Sequence, residues 1–284
     1  MMNQEIQQIR NKEGINIYYL RKLPLELKAI VVISHGYGEH FYLYLPLMER
    51  LAAEGYGVYA LDHRGHGHSE AERGHLDRFG IFLEDLDFFV DYVQGLHPTL
   101  PLYMIGHSMG GLINFNYGLI HPEKVKGQIF TGAVLTKPGG TKYVPTCVFW
   151  LGSRVLKKYK IRPNMKGKLT RKPGEQKISQ KKGSAGDPLI LRYGTLRFFY
   201  EFACCGVNFA RKNAEIYGLP CLFLHGTADK LVPYQKIERI VERLASQDKT
   251  LKLYEGFYHD LIHDPEGEEV VADILNWLKQ HQSG

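Results

Sequence analysis

Leu102-Tyr103-Met104-Ile105-Gly106-His107-Ser108-Met109-Gly110-Gly111 decides how the rest of the chain is read. An apolar run, a serine flanked by glycines and an apolar-periodic stretch over residues 111–120 predict a strand, a sharp turn and a helix in that order. Such a turn projects a serine hydroxyl clear of a sheet, and Gly106 and Gly110 let strand and helix pass with no Cβ between them. Ser108 is therefore a candidate nucleophile. A motif this short gains weight only from partners elsewhere in the chain.

An activated serine needs a base to take its proton, an acid to orient the base, and backbone donors for the oxyanion. Upstream, the β-branched run at 29–33 predicts a buried strand that leads into Ser34-His35-Gly36-Tyr37-Gly38-Glu39-His40. Glycines on either side of Tyr37 bring its backbone N–H close to a substrate oxygen, and the N–H of Met109, next after the serine, is the second expected donor. Downstream, the run at 221–224 enters His225-Gly226-Thr227-Ala228-Asp229, which puts a carboxylate just past a strand end. Asp229 is the expected orienting acid. The last strand, at 251–254, precedes Glu255-Gly256-Phe257-Tyr258-His259-Asp260, and His259 is the expected base. Asp260 adjoins that histidine and is expected to point away from its ring. His263, before Asp264-Pro265, reads as a surface residue at a helix start, and so does Asp187 before Pro188.

Ser, Asp, His is the chain order of the α/β-hydrolase triad. The sequence resembles the monoacylglycerol lipase and lysophospholipase branch of that family. The resemblance is carried by His35 to His40, by Leu61-Asp62-His63-Arg64-Gly65-His66-Gly67-His68-Ser69-Glu70, by Gly106 to Gly110, by Asp187-Pro188-Leu189, and by Ser246-Gln247-Asp248-Lys249-Thr250 through His259. It implies the same three residues, Ser108, Asp229 and His259, and cleavage of monoacylglycerols to fatty acid and glycerol through an acyl-enzyme. Lysophospholipids or other single-chain carboxylic esters are the alternative substrates, and a non-catalytic ligand-binding protein on the same fold is the reading from a different class. No cofactor is implied. Several monoacylglycerol lipases resemble one another in an arginine four residues after the oxyanion-loop glutamate, near the glycerol head group; here Leu43 stands there. Leu43 and Glu39 are thus the substrate-binding candidates, with Glu39 left as a polar group for glycerol.

The wider pattern agrees with that fold. Alternating stretches at 5–10 and 15–21 flank Asn11-Lys12-Glu13-Gly14 and predict a hairpin. Strand candidates at 29–33, 58–61, 102–105, 125–130, 221–224 and 251–254 then alternate with helical-period stretches such as 79–95 and 234–244, which predicts a mostly parallel sheet with helices on both faces. At 284 residues and 44% apolar content, one such domain uses the whole chain. The long interval between the strands near 131 and 221 exceeds an ordinary connection and predicts an inserted helical cap at about 135–212. Its apolar content is Val144 to Leu151 and the series Leu196, Phe199, Phe202, Ala203, Val207.

Between Leu151 and Lys182 stand twelve Lys or Arg against one acid, Glu175, so a chain of net charge +6 has its positive charge concentrated there. No stacking-aromatic or nucleic-acid motif accompanies the run, so an anionic lipid surface is the expected partner and nucleic acid is not. Asp62-His63-Arg64-Gly65-His66-Gly67-His68 is rich in metal-ligand residue types but reads as a structural turn in which Asp62 and Arg64 pair; no metal is expected. His35 and His107 are expected to brace the loops they sit in. Cys147, Cys204, Cys205 and Cys221 lack metal or redox spacing and read as free thiols. With no apolar leader in residues 1–10 and no run long enough to span a bilayer, the expected location is cytoplasmic, with membrane or lipid-droplet association through the cap.

Overall fold

Every residue of the strand Ala29–Ser34 is buried, and its side chains divide alternately between two apolar clusters, Ile30 and Val32 into one, Ala29, Val31 and Ile33 into the other. A strand with two apolar faces needs cover on both. In the computed structural model, which describes residues 6–137, 145–163 and 186–282, the cover is helical. The described strands are β1 (Gln7–Arg10), β2 (Asn16–Lys22), β3 (Ala29–Ser34), β4 (Tyr56–Leu61), β5 (Leu102–His107), β6 (Gly127–Thr131), β7 (Lys160–Ile161), β8 (Gly194–Thr195), β9 (Cys221–Gly226) and β10 (Lys249–Tyr254). The main sheet runs β1-β2-β4-β3-β5-β6-β9-β10, and β7 pairs with β8 apart from it. Only the β1–β2 and β2–β4 pairs of the main sheet are antiparallel.

The described α-helices are α1 (Leu45–Ala53), α2 (Gly80–Leu96), α3 (Met109–Ile120), α4 (Thr146–Val155), α5 (Leu196–Tyr200), α6 (Val207–Asn213), α7 (Tyr234–Glu242) and α8 (Glu268–His281). α1 and α8 cover one face of the sheet with Leu47, Met48, Leu51, Val270, Ile274 and Leu278. α2, α3 and α7 cover the other, with Phe82, Phe89, Leu112, Phe115, Ile237 and Ile240 among the side chains they bury. This is the α/β-hydrolase arrangement. The chain steps from β3 outward to β4 and then back across to β5, so the strand order reverses between β3 and β5. Loops leaving the carboxyl ends of β3 and β5 flank that crevice, where open α/β sheets gather their ligands.

One local reading is corrected. Asp62 and Arg64 do not pair: Asp62 turns inward and accepts the amides of Phe41 and His68, both at 2.7 Å. Arg64 reaches outward to α2, where Nε and Nη2 donate to the two oxygens of Asp85 at 2.7 and 2.8 Å. The reason is room. Asp62 Oδ2 occupies the space above Gly67, where a Cβ would lie 1.9 Å from it. In the expected cap, residues 138–144 and 164–185 lie outside the described residues, and with them Val144 and the basic run from Lys166 onward. The apolar series at 196–207 lies on helix, running through α5, a π-helical turn, Glu201–Gly206, and the start of α6. There the Gly206 carbonyl accepts from Asn116 Nδ2 at 3.1 Å, which ties the turn to α3.

Candidate active site

Ser108 caps the N-terminus of α3 with φ 51° and ψ −110°, a left-handed backbone that a non-glycine residue adopts at a cost. Bonds on both sides of the residue hold it there: its amide donates to Thr131 O at 3.0 Å, and its carbonyl accepts from Leu112 and Val134, each at 3.2 Å. The glycines provide the clearance. A Cβ on Gly110 would lie 2.1 Å from Ser34 O, and one on Gly106 would lie 2.7 Å from Gly110 O. The turn expected from the sequence is present, and it holds the hydroxyl beyond the end of β5.

The loops after β9 and β10 bring the other two residues to it. His259 Nε2 lies 2.8 Å from Ser108 Oγ, and His259 Nδ1 lies 2.7 Å from Asp229 Oδ2. All three side chains are buried. With the Nδ1 proton donated to the carboxylate, Nε2 is left to accept from the serine hydroxyl. Burial alone would raise the Asp229 carboxyl, but the His259 charge and hydrogen bonds from His225 and His259 outweigh it and hold the group far below the ordinary carboxylate range. Burial likewise depresses His259, yet the Asp229 charge and hydrogen bond, then Asp260 and Glu39, carry it above the usual imidazole value. The result is an ionised acid beside a strengthened base.

Met109 opens α3, where a first-turn amide has no helical carbonyl to reach. Tyr37 lies in the loop after β3, and its ring packs on Phe198 and Phe199 with centroids 5.3 and 5.4 Å away. Glu39 folds back on this loop: Oε2 accepts the Gly36 amide at 2.9 Å and the Tyr44 hydroxyl at 2.6 Å. Leu43 lines a surface cleft with Pro46, Leu47, Arg50 and residues 262–264, 267, 268 and 271, a set that contains none of Ser108, Asp229 and His259. The structure therefore gathers Ser108, Asp229 and His259 into direct contact, and gives Glu39 and Leu43 local partners instead. His35 braces the loop by donating from Nδ1 to Gly36 O at 2.7 Å and accepting the His63 amide on Nε2 at 2.9 Å. His107 donates to Thr131 O at 3.0 Å.

The pattern of the serine aminopeptidase S33 family of hydrolases matches residues 26–266. A monoacylglycerol lipase of Mycolicibacterium smegmatis is 32% identical over 270 residues, 94% of each chain. The human monoglyceride lipase is 33% identical over 256 residues, 89% of this chain and 83% of its own. The chain belongs to the monoacylglycerol lipase branch of the α/β-hydrolases. The crystal structure of a monoacylglycerol lipase from Paleococcus ferrophilus superposes with a TM-score of 0.81 at 29% identity, over 93% of this chain and 99% of that one.

Around this member's serine, three residues differ from the sequence reading or escaped it. His225 was not expected at the site, yet its Nε2 lies 3.1 Å from Asp229 Oδ2. Its position at the end of β9, four residues before the aspartate, was the available signal. His263 is nearly buried, not a surface residue: Nδ1 lies 2.8 Å from Asp260 Oδ1, and Nε2 donates to Leu43 O at 3.0 Å. Asp187 begins a turn and no helix. Its Oδ1 accepts the Leu189 amide at 2.8 Å, and Oδ2 lies 3.1 Å from His40 Nε2. A residue type suited to capping a helix has here found a partner far off in sequence, which local pattern does not reveal.

Proposed function

We propose that the protein is a serine esterase that cleaves monoacylglycerols to fatty acid and glycerol, with Ser108 as nucleophile, His259 as general base and Asp229 as its orienting acid. The observation that carries this reading is the line Asp229–His259–Ser108, closed at 2.7 and 2.8 Å on a serine held at the head of α3. Ser108 Oγ attacks the ester carbonyl as Nε2 takes its proton, and the imidazolium is stabilised by Asp229. The proton then passes to the departing glycerol oxygen, leaving an acyl-serine. His259 next takes a proton from water, hydroxide equivalent adds to the acyl carbonyl, and collapse returns the proton to Oγ and frees the fatty acid. The Tyr37 and Met109 amides hold the oxyanion in both halves. Such donors are each worth about 3–4 kcal/mol in other acyl-transfer enzymes.

The helices between β6 and β9 form the cap over this site in our reading. Tyr37 packing on Phe198 and Phe199 joins α5 to the oxyanion loop and supplies an apolar wall suited to an acyl chain. On the outside of the cap, α4 leaves Val148, Trp150, Leu151 and Val155 between 45% and 72% exposed, with Arg154 and Lys157 alongside. No described helix is long and apolar enough to cross a membrane. We read this face as one that rests on an anionic lipid surface, apolar side chains entering and cations meeting head groups.

Ser108→Ala removes one hydroxyl and leaves the fold in place. The expected outcome is loss of monoacylglycerol hydrolysis and of labelling by a fluorophosphonate, with an unchanged circular dichroism spectrum. Folded Ser108→Ala protein that still turns over substrate would overturn the assignment. A wild-type protein that takes no label would instead point to a ligand-binding role.

A further inference from the structure

The oxyanion loop is pinned at alternate residues, and two of the pins come from the segment that returns from the cap. At residue 36 the pin is internal, the Glu39 carboxylate on the Gly36 amide at 2.9 Å. At residue 38, Gly38 O accepts the Leu191 amide at 2.8 Å. At residue 40, His40 Nε2 meets Asp187 Oδ2 at 3.1 Å, with both side chains almost wholly buried. Tyr37 lies between pinned neighbours, so its N–H is aimed by them. Gly38 has φ +82°, and a Cβ there would stand 2.6 Å from Leu191 O, so the two backbones are in direct contact. A glycine at this point could swing freely if the returning segment let go.

Asp187 organises that segment. Its Oδ1 takes the Leu189 amide, forming a tight turn that delivers the Leu191 amide to Gly38, while its Oδ2 takes His40. The far side of the turn is held by Arg73, whose Nη2 donates to Leu189 O at 2.9 Å and whose Nη1 donates to Gly67 O at 2.8 Å. None of these groups touches Ser108, His259 or Asp229 in the contacts above. We infer that Asp187 is a positioning residue for the oxyanion loop: through His40 and the Leu191 amide it fixes the backbone that presents the Tyr37 N–H. The inference rests on the esterase reading of the site. It makes the geometry of the oxyanion hole depend on the segment that returns from the cap, two parts of the molecule that are separate in sequence.

The role separates from simple structural support by where the defect falls. Deleting a whole oxyanion donor costs about 100- to 1,000-fold in kcat elsewhere, so loosening one should cost part of that, about 10- to 100-fold. For a soluble p-nitrophenyl ester, Asp187→Ala is expected to lose that much kcat while KM moves by less than about twofold, because ground-state binding is untouched. The acidic limb of its pH–rate profile should stay where the wild type has it, since Asp229 and His259 are intact. Asp187→Asn can keep both bonds, its oxygen on the Leu189 amide and its NH2 on His40 Nε2. His40 Nδ1, which has no partner among the described residues, would then carry the ring proton. That variant should therefore hold kcat within about threefold. His40→Ala should repeat the Asp187→Ala loss, and the double variant should fall no further, as expected of two residues acting through one contact.

Wild-type kcat in folded Asp187→Ala would overturn the inference, as would a loss carried by KM or a displaced pH limb. If Asp187→Ala does not fold, His40→Ala and Asp187→Asn decide by the same criteria: wild-type kcat in the first, or a large kcat loss in the second, overturns it. Ser108→Ala run in parallel keeps the two failures apart, because residual activity there defeats the esterase reading and not the positioning role of Asp187.

Discussion

Both oxygens of Asp229 are occupied: Oδ1 takes the amides of Leu231 and Val232 at 2.7 and 2.9 Å, and Oδ2 takes His259, with His225 Nε2, which donates to Val232 O at 2.8 Å, also 3.1 Å from it. The carboxylate is thereby fixed in place and in charge, and it is the largest influence that lifts His259 against the downward pull of burial. The sign of the pH dependence follows. In the proposed mechanism His259 acts as base only when neutral, so activity should fall as pH drops through its pKa, and that limb should lie above the ordinary imidazole value of about 6.5. In Asp229→Asn the charge is gone, burial dominates, and the limb should move to lower pH. The same change leaves the imidazole without its fixed tautomer, and kcat should drop on the order of 10⁴-fold by analogy with other triads. A kcat/KM profile against pH for both proteins checks the two effects together. A limb that stays put in the variant would mean that Asp229 does not set the base.

At the scale of elements, α4 buries only Ser153 among its ten residues and turns apolar side chains outward. Replacing Val148, Leu151 and Val155 by Ser should weaken sedimentation with anionic vesicles at least tenfold, since each removes apolar area whose entry into the bilayer is worth on the order of 1 kcal/mol or more. Reversing Arg154 and Lys157 to Glu should remove the preference for anionic over neutral vesicles and the sensitivity to salt. Hydrolysis of a soluble ester should survive both sets of changes; equal vesicle binding by all of them would leave α4 without a lipid role. The contrast with the sheet explains what was legible in the sequence. β3 and β5 are continuous apolar runs because helices cover both faces, and the glycines around Ser108 mark a close approach that only they permit. Those signals are local. The bonds of Asp187 to His40 and of His263 to Leu43 O span 147 and 220 residues, and no local pattern encodes them. The turn at 201–206 was hidden for a related reason, since its apolar spacing suits a regular helix, while its bond to Asn116 on α3 spans 90 residues.

Across the whole molecule, the groups assigned roles in the proposed mechanism come from loops after β3, β5, β9 and β10, so their relative placement depends on ties between loops as much as on the sheet. His263 is one such tie. It joins Asp260, next to His259, to the Leu43 carbonyl beyond the loop that follows β3. Burial would lower its pKa, but the Asp260 charge and hydrogen bond, with Glu39 and the Leu43 carbonyl behind them, push it up to about 9. Asp260 answers in the other direction, held down to about 2 by His263 against the effect of its own burial. A histidine whose folded pKa is raised stabilises the fold fully below its unfolded value of about 6.5 and loses that contribution as pH climbs through the folded value. Asp260 is ionised throughout that interval, so the decline belongs to the histidine. The melting temperature of the wild type should therefore fall between pH 6.5 and 9 by more than that of His263→Gln, which keeps a hydrogen-bonding side chain but has no proton to lose. Thermal melts of the two proteins across that range provide the measurement. Parallel curves would show that the imidazolium does not clamp these loops, whereas convergence toward pH 9 is the outcome its geometry requires.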